Sequence, residues 1–286
     1  MFIRDKLKEN FITHFIGIHL LRIYFFYLKK YASEVICFLR RIFGSKYSYL
    51  KKYKGIHNGE SCFIVCTGPS LTFDDLNKLD GLYAFGMNSI VKACKQTKWK
   101  PTYYGIQDES VYKKMVDEYK DCPIKEFFVS HRVAKCIKNT DFKYNEFWLN
   151  MYGHDYGNFK NPEFKFSEKI DICAYDGFSI TYSLIQLAVY MGFSKIYLLG
   201  CDNSYPKDPN KQYFIPSGHV SLSAQITVLL QRKAFALARK YAEEHGIGIY
   251  NATRGGELEV FERVDFDDAV KKCKRKKDFA SGCSEN

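Results

Sequence analysis

Cys62-Phe63-Ile64-Val65-Cys66-Thr67-Gly68-Pro69-Ser70-Leu71 is the stretch on which the fold turns. Five apolar residues in a row, with no polar alternation, read as a strand buried on both faces of a parallel sheet. The Gly-Pro pair ends the run. Leu71 to Leu79 then reads as a short helix, with Thr72 as its N-cap and Asp74 and Asp75 in its first turn. A helix N-terminus directly behind a small-residue turn favours an anion, so Gly68, Pro69 and Ser70 form a candidate phosphate turn. The competing reading is an ordinary tight strand-to-helix connection. The turn matches neither G-x-G-x-x-G nor the Walker A pattern, and no Lys follows to grip a terminal phosphate.

Outward from this unit the same alternation repeats. Tyr83–Met87, Thr102–Ile106 and Glu126–Val129 read as strands, with helices predicted over Ser89–Lys95 and Val111–Tyr119. After a gap come a buried helix over Ser179–Met191, a strongly apolar strand over Lys195–Leu199, an amphipathic helix over Gln225–His245 stopped by Gly246, and a strand over Ile247–Tyr250. This order predicts an α/β fold, a doubly wound and mostly parallel Rossmann-like sheet with an N-terminal helical appendage. Two long segments, 150–175 and 203–223, lack periodicity and read as functional loops. The expected divisions are 1–53 (amphipathic helices), 54–268 (the nucleotide-binding and transferase domain) and 269–286 (a basic, flexible tail with six Lys/Arg between 271 and 277).

The chain has 286 residues, 46% of them hydrophobic and 17% aromatic, enough for one large core. Its net charge of +11 calls for an acidic partner. The positive charge concentrates at the termini and no nucleic-acid module appears, which points away from nucleic acid. Phe11 to Leu28 is apolar but broken by His14, His19 and Arg22, and Lys29 and Lys30 follow. That pattern makes a poor signal peptide and a marginal membrane span. With a second apolar stretch, Val35 to Leu39, it predicts two helices for an anionic membrane surface, a partner helix or a second copy, or else a hairpin packed on the domain. Ten cysteines without C-x-x-C spacing read as reduced core thiols of a cytoplasmic protein, peripheral at the inner face of the membrane.

In an open parallel sheet, ligands collect beyond the C-terminal strand ends. The residues there are Thr67, Gly68, Pro69 and Ser70; Asn88 and Ser89; Gln107 and Asp108; Asp202, Asn203 and Tyr205; and Asn251, Thr253 and Arg254. Ser179 and Thr181, at another helix start after Asp176-Gly177, form a second candidate anion site. Asp202 ends the strongest strand, as a ligand-binding or catalytic carboxylate often does. His219 is the best-placed general base, and Tyr205 and Tyr213 are hydroxyl donors for a departing phosphate. His131 and His154 have no evident companions.

At these residues the chain resembles the 6-hydroxymethylpterin diphosphokinase-like (MptE-like) domain. The likeness runs through Phe63–Leu71 and Gly86-Met87-Asn88, then Asp176–Ser183, Ile196–Asp202 and Ile249–Gly256. It covers about residues 55 to 268. Many members are associated with bacterial surface-polysaccharide synthesis. The layout is also similar to that of the bacterial lipooligosaccharide sialyltransferases, which use CMP-activated sialic acid without a metal. That resemblance implies Gly68, Pro69, Ser70, Asn88, Ser179, Asp202 and Tyr205 around a CMP-sugar, with His219 as base and a glycan as acceptor. Thr67 departs from it by replacing an Asn, and the spacing around His219 also differs. Under the diphosphokinase alternative, ATP with Mg²⁺ would be used and Asp202 and Asp108 would be metal ligands. A non-catalytic scaffold in glycan assembly is the third reading.

Overall fold

In the computed structural model, which describes residues 2–138, 143–151, 163–204, 206, 208, 211–215 and 224–282, the chain opens with one helix, α1 (Phe2–Phe43). The two expected N-terminal helices are therefore a single one. Tyr31-Ala32-Ser33-Glu34, which joins the two apolar stretches, holds neither Pro nor Gly, so nothing interrupts the hydrogen-bond ladder. The helix ends before Gly44, whose φ of 83° fits a left-handed cap. A 3₁₀ turn over Ser48–Tyr53 follows and buries Leu50 and Tyr53, fastening the appendage to the domain.

The domain then runs β1 (Ser61–Val65), α2 (Phe73–Lys78), β2 (Ala84–Met87), a 3₁₀ helix (Asn88–Lys95), β3 (Tyr103–Ile106), α3 (Glu109–Asp121), β4 (Glu126–Ser130) and α4 (His131–Ala134). Next come β5 (Asn145–Phe147), β6 (Leu149–Asn150), β7 (Ala174–Tyr175), α5 (Ile180–Tyr190), β8 (Lys195–Leu199), α6 (Ala224–Glu244), β9 (Gly248–Asn251), β10 (Glu262–Arg263) and α7 (Phe266–Gly282). Eight strands form one sheet in the order β10-β9-β8-β1-β2-β3-β4-β5, and β6 and β7 pair separately. All pairings are parallel. The chain steps outward from β1 to β5 and then returns to the other side of β1 for β8, β9 and β10. Connections from β1 and β8 thus leave in opposite directions, and the crevice between their C-terminal ends is the topological switch point.

Alternation along β1 feeds two cores. Cys62 and Ile64 face the layer of α5 and α6, whereas Phe63 and Val65 face the layer of α2, α3 and α7. α5 is buried at ten of its eleven residues, which is why its sequence shows no polar face. The tail expected to be flexible from residue 269 is instead the body of α7: Ala269, Val270 and Cys273 are buried against the second core. An i, i+1, i+4 apolar set among lysines was enough to dock that helix. The expectation of thiols throughout is also corrected, because Cys94 and Cys122 form a disulfide between the 3₁₀ helix and the end of α3. No helix among the described residues is long and apolar enough to cross a membrane.

Candidate functional site

The turn after β1 is locked onto the end of β8. The Gly68 N–H donates to the Gly200 carbonyl at 2.8 Å, and Ser70 Oγ donates to Asp202 Oδ2 at 2.8 Å. Behind it, Thr72 and Asp75 form a reciprocal capping box on α2. The expectation of free amides awaiting an anion at Gly68–Ser70 is therefore corrected: the Gly68 amide and the helix start are already engaged within the chain. The glycine has another cause. A Cβ on Gly68 would fall on the Asp202 carboxylate and 2.5 Å from the Gly200 oxygen. On the other side, Gly256 at φ 71° packs against the Asp202 backbone, and the Glu257 N–H donates to the Asp202 carbonyl at 2.7 Å. Asp202 is held between two glycine approaches. Burial raises its carboxyl pKa, and the Ser70 hydrogen bonds oppose that shift.

Among the described residues, three other than glycine have positive φ: Asn88 at 48°, Phe178 at 61° and Asn203 at 50°. All three line one cleft of about 250 Å³ at the switch point. Backbone held in this sparsely populated region gathers at functional sites because the surrounding structure must impose it. Here the imposing group is visible. Gln231, buried on α6, accepts from Asn203 Nδ2 at 2.8 Å and donates to the Phe178 carbonyl at 2.9 Å. Arg232 Nε donates to Asn203 Oδ1 at 2.7 Å, so the Asn203 carboxamide is held at both ends. Asn203 braces the cleft.

Gln107 is braced as well, donating to Asp176 at 2.9 Å and accepting from Ser183 at 2.7 Å. Asp108 caps α3, accepting from the Ser110 and Val111 amides, and Ser179 caps α5, accepting from the Thr181 amide. Thr181 Oγ1 lies 3.4 Å from Cys66 Sγ at the cleft floor. Asn88 differs from these. Its backbone carbonyl accepts from Tyr104 Oη at 2.6 Å, while its carboxamide has no partner among the described residues.

The cleft thus brings together Thr67, Gly68, Asn88, Gln107, Asp108, Ser179, Thr181, Asp202, Asn203 and Tyr213. It does not include Asn251, whose carboxamide closes the following loop through the Leu258 carbonyl and the Thr253 amide. Arg254 pairs with Asp75, and Ser89 with the Ile215 carbonyl. His131 stacks on Trp148 away from the cleft. Pro69 is exposed and does not line the cleft. Tyr205, His219 and His154 lie outside the described residues. Gln231 and Phe178 escaped the sequence reading. Gln231 carried one signal: a polar residue one turn before Phe235, inside the apolar stripe of α6.

The acidic residues of the cleft do not fit a protein-anchored Mg²⁺. Asp108 Oδ1 accepts from the Ser110 amide, the Ser110 hydroxyl and the Val111 amide. Asp202 holds Ser70, and no group of three potential metal ligands exists among the described residues. A larger groove of about 710 Å³ lies elsewhere, between α1, α6 and residues 164–166. It offers no comparable set of strand-end polar groups, so the switch-point cleft is the functional candidate.

No curated protein matches the sequence. Among solved structures, the chain is similar to the MAf glycosyltransferase from Magnetospirillum magneticum AMB-1, at 14% identity and a TM-score of 0.48 over 82% of this chain. The chain spans 41% of the length of that protein. The family model described as 6-hydroxymethylpterin diphosphokinase MptE-like matches residues 37–208, more than half of the sequence, and the chain belongs to that family.

Proposed function

We propose that the protein is a glycosyltransferase that takes the nucleotide of a CMP-sugar donor in the switch-point cleft. The observation that carries this reading is Asn88. It is the cleft carboxamide without a partner among the described residues, held at positive φ where the neighbouring polar groups are braced. Such a group can read the edge of a base or a ribose hydroxyl. The motif resemblance to CMP-dependent sialyltransferases supports the cytidine class. The volume, about 250 Å³, lies below the range of roughly 300–1,000 Å³ for whole ligands and suits part of a nucleotide sugar.

In the proposed reaction His219 removes the proton of the acceptor hydroxyl, whose oxygen attacks the anomeric carbon. The bond from that carbon to the phosphate oxygen breaks, and its electron pair leaves with CMP. Tyr205 donates a hydrogen bond to the departing phosphate, where negative charge develops. The second reading, pyrophosphate transfer from ATP, rests on the family description. The engaged state of Asp108 and Asp202 disfavours it.

Thermal shift and calorimetry with CMP, CDP and ATP, each with and without Mg²⁺, separate the readings. Stabilisation by CMP or CDP without metal is expected, and Asn88→Ala should weaken it about ten-fold, the loss of roughly one hydrogen bond. ATP binding that requires Mg²⁺, or no response to any nucleotide, would overturn the proposal. Donor hydrolysis unaffected by His219→Ala removes that residue from the mechanism.

A further inference from the structure

A helix on a globular domain normally turns its apolar stripe inward. α1 does the reverse. Its polar side chains face the domain: Ser33 donates to Asn150 at 2.7 Å, Glu34 pairs with Lys165 at 2.8 Å, and Lys30 pairs with Glu163 at 3.0 Å. Arg40 lies over the Trp148 ring at 4.2 Å. Among the described side chains exposed on α1 from Leu20 to Phe43, Arg41 is the one that carries a charge. Tyr24, Tyr31, Phe38 and Phe43 are 62%, 66%, 60% and 80% exposed. At about 1.5 Å per residue this face is about 35 Å long, well beyond the scattered apolar exposure of an ordinary surface.

A second observation says what covers it. At the C-terminal end of α1, a cavity of about 420 Å³ is lined by Arg40, Arg41, Lys51, Lys54 and Lys169, with Asp171 the one carboxylate in that lining. An apolar face running into a basic pocket matches acyl chains beside anionic headgroups. The tyrosines of the face, with apolar rings and polar tips, suit the depth of a membrane interface better than a dry protein contact. No described helix is apolar enough to span a bilayer, so the geometry is that of a helix lying in the surface.

We propose that α1 lies flat in an anionic membrane surface, its outward face in the acyl boundary and the pocket at its end holding a lipid phosphate. The inference is independent of the reaction proposed above.

Flotation of the full chain with vesicles tests it. The wild type should float with phosphatidylcholine vesicles containing phosphatidylglycerol and much less with phosphatidylcholine alone. Leu28→Gln/Phe38→Gln/Phe43→Gln, all at exposed positions, should abolish flotation with an unchanged melting temperature. Lys51→Gln and Lys54→Gln should each lower partitioning about five-fold on the anionic vesicles. A wild type that stays with the unbound fraction, and sediments as a dimer dissociated by the triple variant, would overturn the proposal in favour of a second copy. Flotation insensitive to the triple variant would overturn it too.

Discussion

Gly68 and Asp202 occupy one space: a Cβ on the glycine would lie 2.7 Å from the aspartate Cγ and closer still to its Oδ2. The turn after β1 is glycine because the end of β8 passes so close, and the ligand is not needed to explain it. Gly68→Ala should therefore destabilise the fold by about 1–3 kcal/mol, the usual cost of overpacking. Because the Gly200 carbonyl also lies 2.5 Å from the added atom, Gly68→Ala/Asp202→Ala should recover only part of the loss. Urea denaturation of the three variants checks this, and full recovery in the double variant would show that Gly200 gives way.

Gln231 makes the second prediction. It serves Asn203 and Phe178 together, so Gln231→Leu removes the hydrogen bond of the buried Asn203 amide and the one to the part-buried Phe178 carbonyl. With one buried group losing its partner at about 1–3 kcal/mol, the expected loss is roughly 1–3 kcal/mol. Nucleotide affinity should fall as well, because the two positive-φ residues lose what holds them. Calorimetric binding that stays at the wild-type level in a destabilised Gln231→Leu would separate the brace from the site.

The sheet was legible from the sequence because its strands are buried on both faces, so Cys62–Val65 and Ile196–Leu199 read as unbroken apolar runs. The switch-point position of the candidate site followed from the βα order, Asn88 and Asp202 were candidates from the strand-end rule, and Ser179 was one from its place at a helix start. Three things stayed out of sight. β5 and β10 are short and sit at the sheet edges, where two or three residues leave no periodicity. The engagement of Gln107 and Asn203 depends on Asp176, α5 and α6 arriving from elsewhere in the chain, which no local pattern encodes, whereas that of Asp108 is a local N-cap on the helix that follows it. The outward face of α1 looks in sequence like any amphipathic helix, and the contacts of Lys30, Ser33, Glu34 and Arg40 reveal which side faces the domain.

The two roles of Asn88 can be separated by substitution. At φ 48° a glycine adopts the backbone freely, so Asn88→Gly should fold with near-wild-type stability while binding nucleotide more weakly. Asn88→Val places a β-branched side chain in the left-handed region and should cost roughly 1–2 kcal/mol of stability in addition. Melting temperatures compared with calorimetric affinities check the split. Equal binding by wild type and Asn88→Gly would assign this residue to the backbone alone.

His131 predicts a pH dependence. Its ring stacks on Trp148 with centroids 4.0 Å apart, and its Nδ1 accepts from the Leu149 N–H at 3.1 Å. Burial, helped by Lys135, pulls its pKa down from the ordinary 6.5 to about 4. The unfolded chain therefore takes up the proton first as pH falls. The neutral ring's contribution is complete above pH 6.5 and declines through the window down to about pH 4. Discounted for the partial exposure of the ring, the loss amounts to about 1–2 kcal/mol. His131→Gln keeps an acceptor for Leu149 and removes the titration. Its stability by urea denaturation should thus fall less than that of the wild type between about pH 7 and about pH 4.5. Parallel declines in the two proteins would place the acid sensitivity in the carboxylates and remove His131 from it.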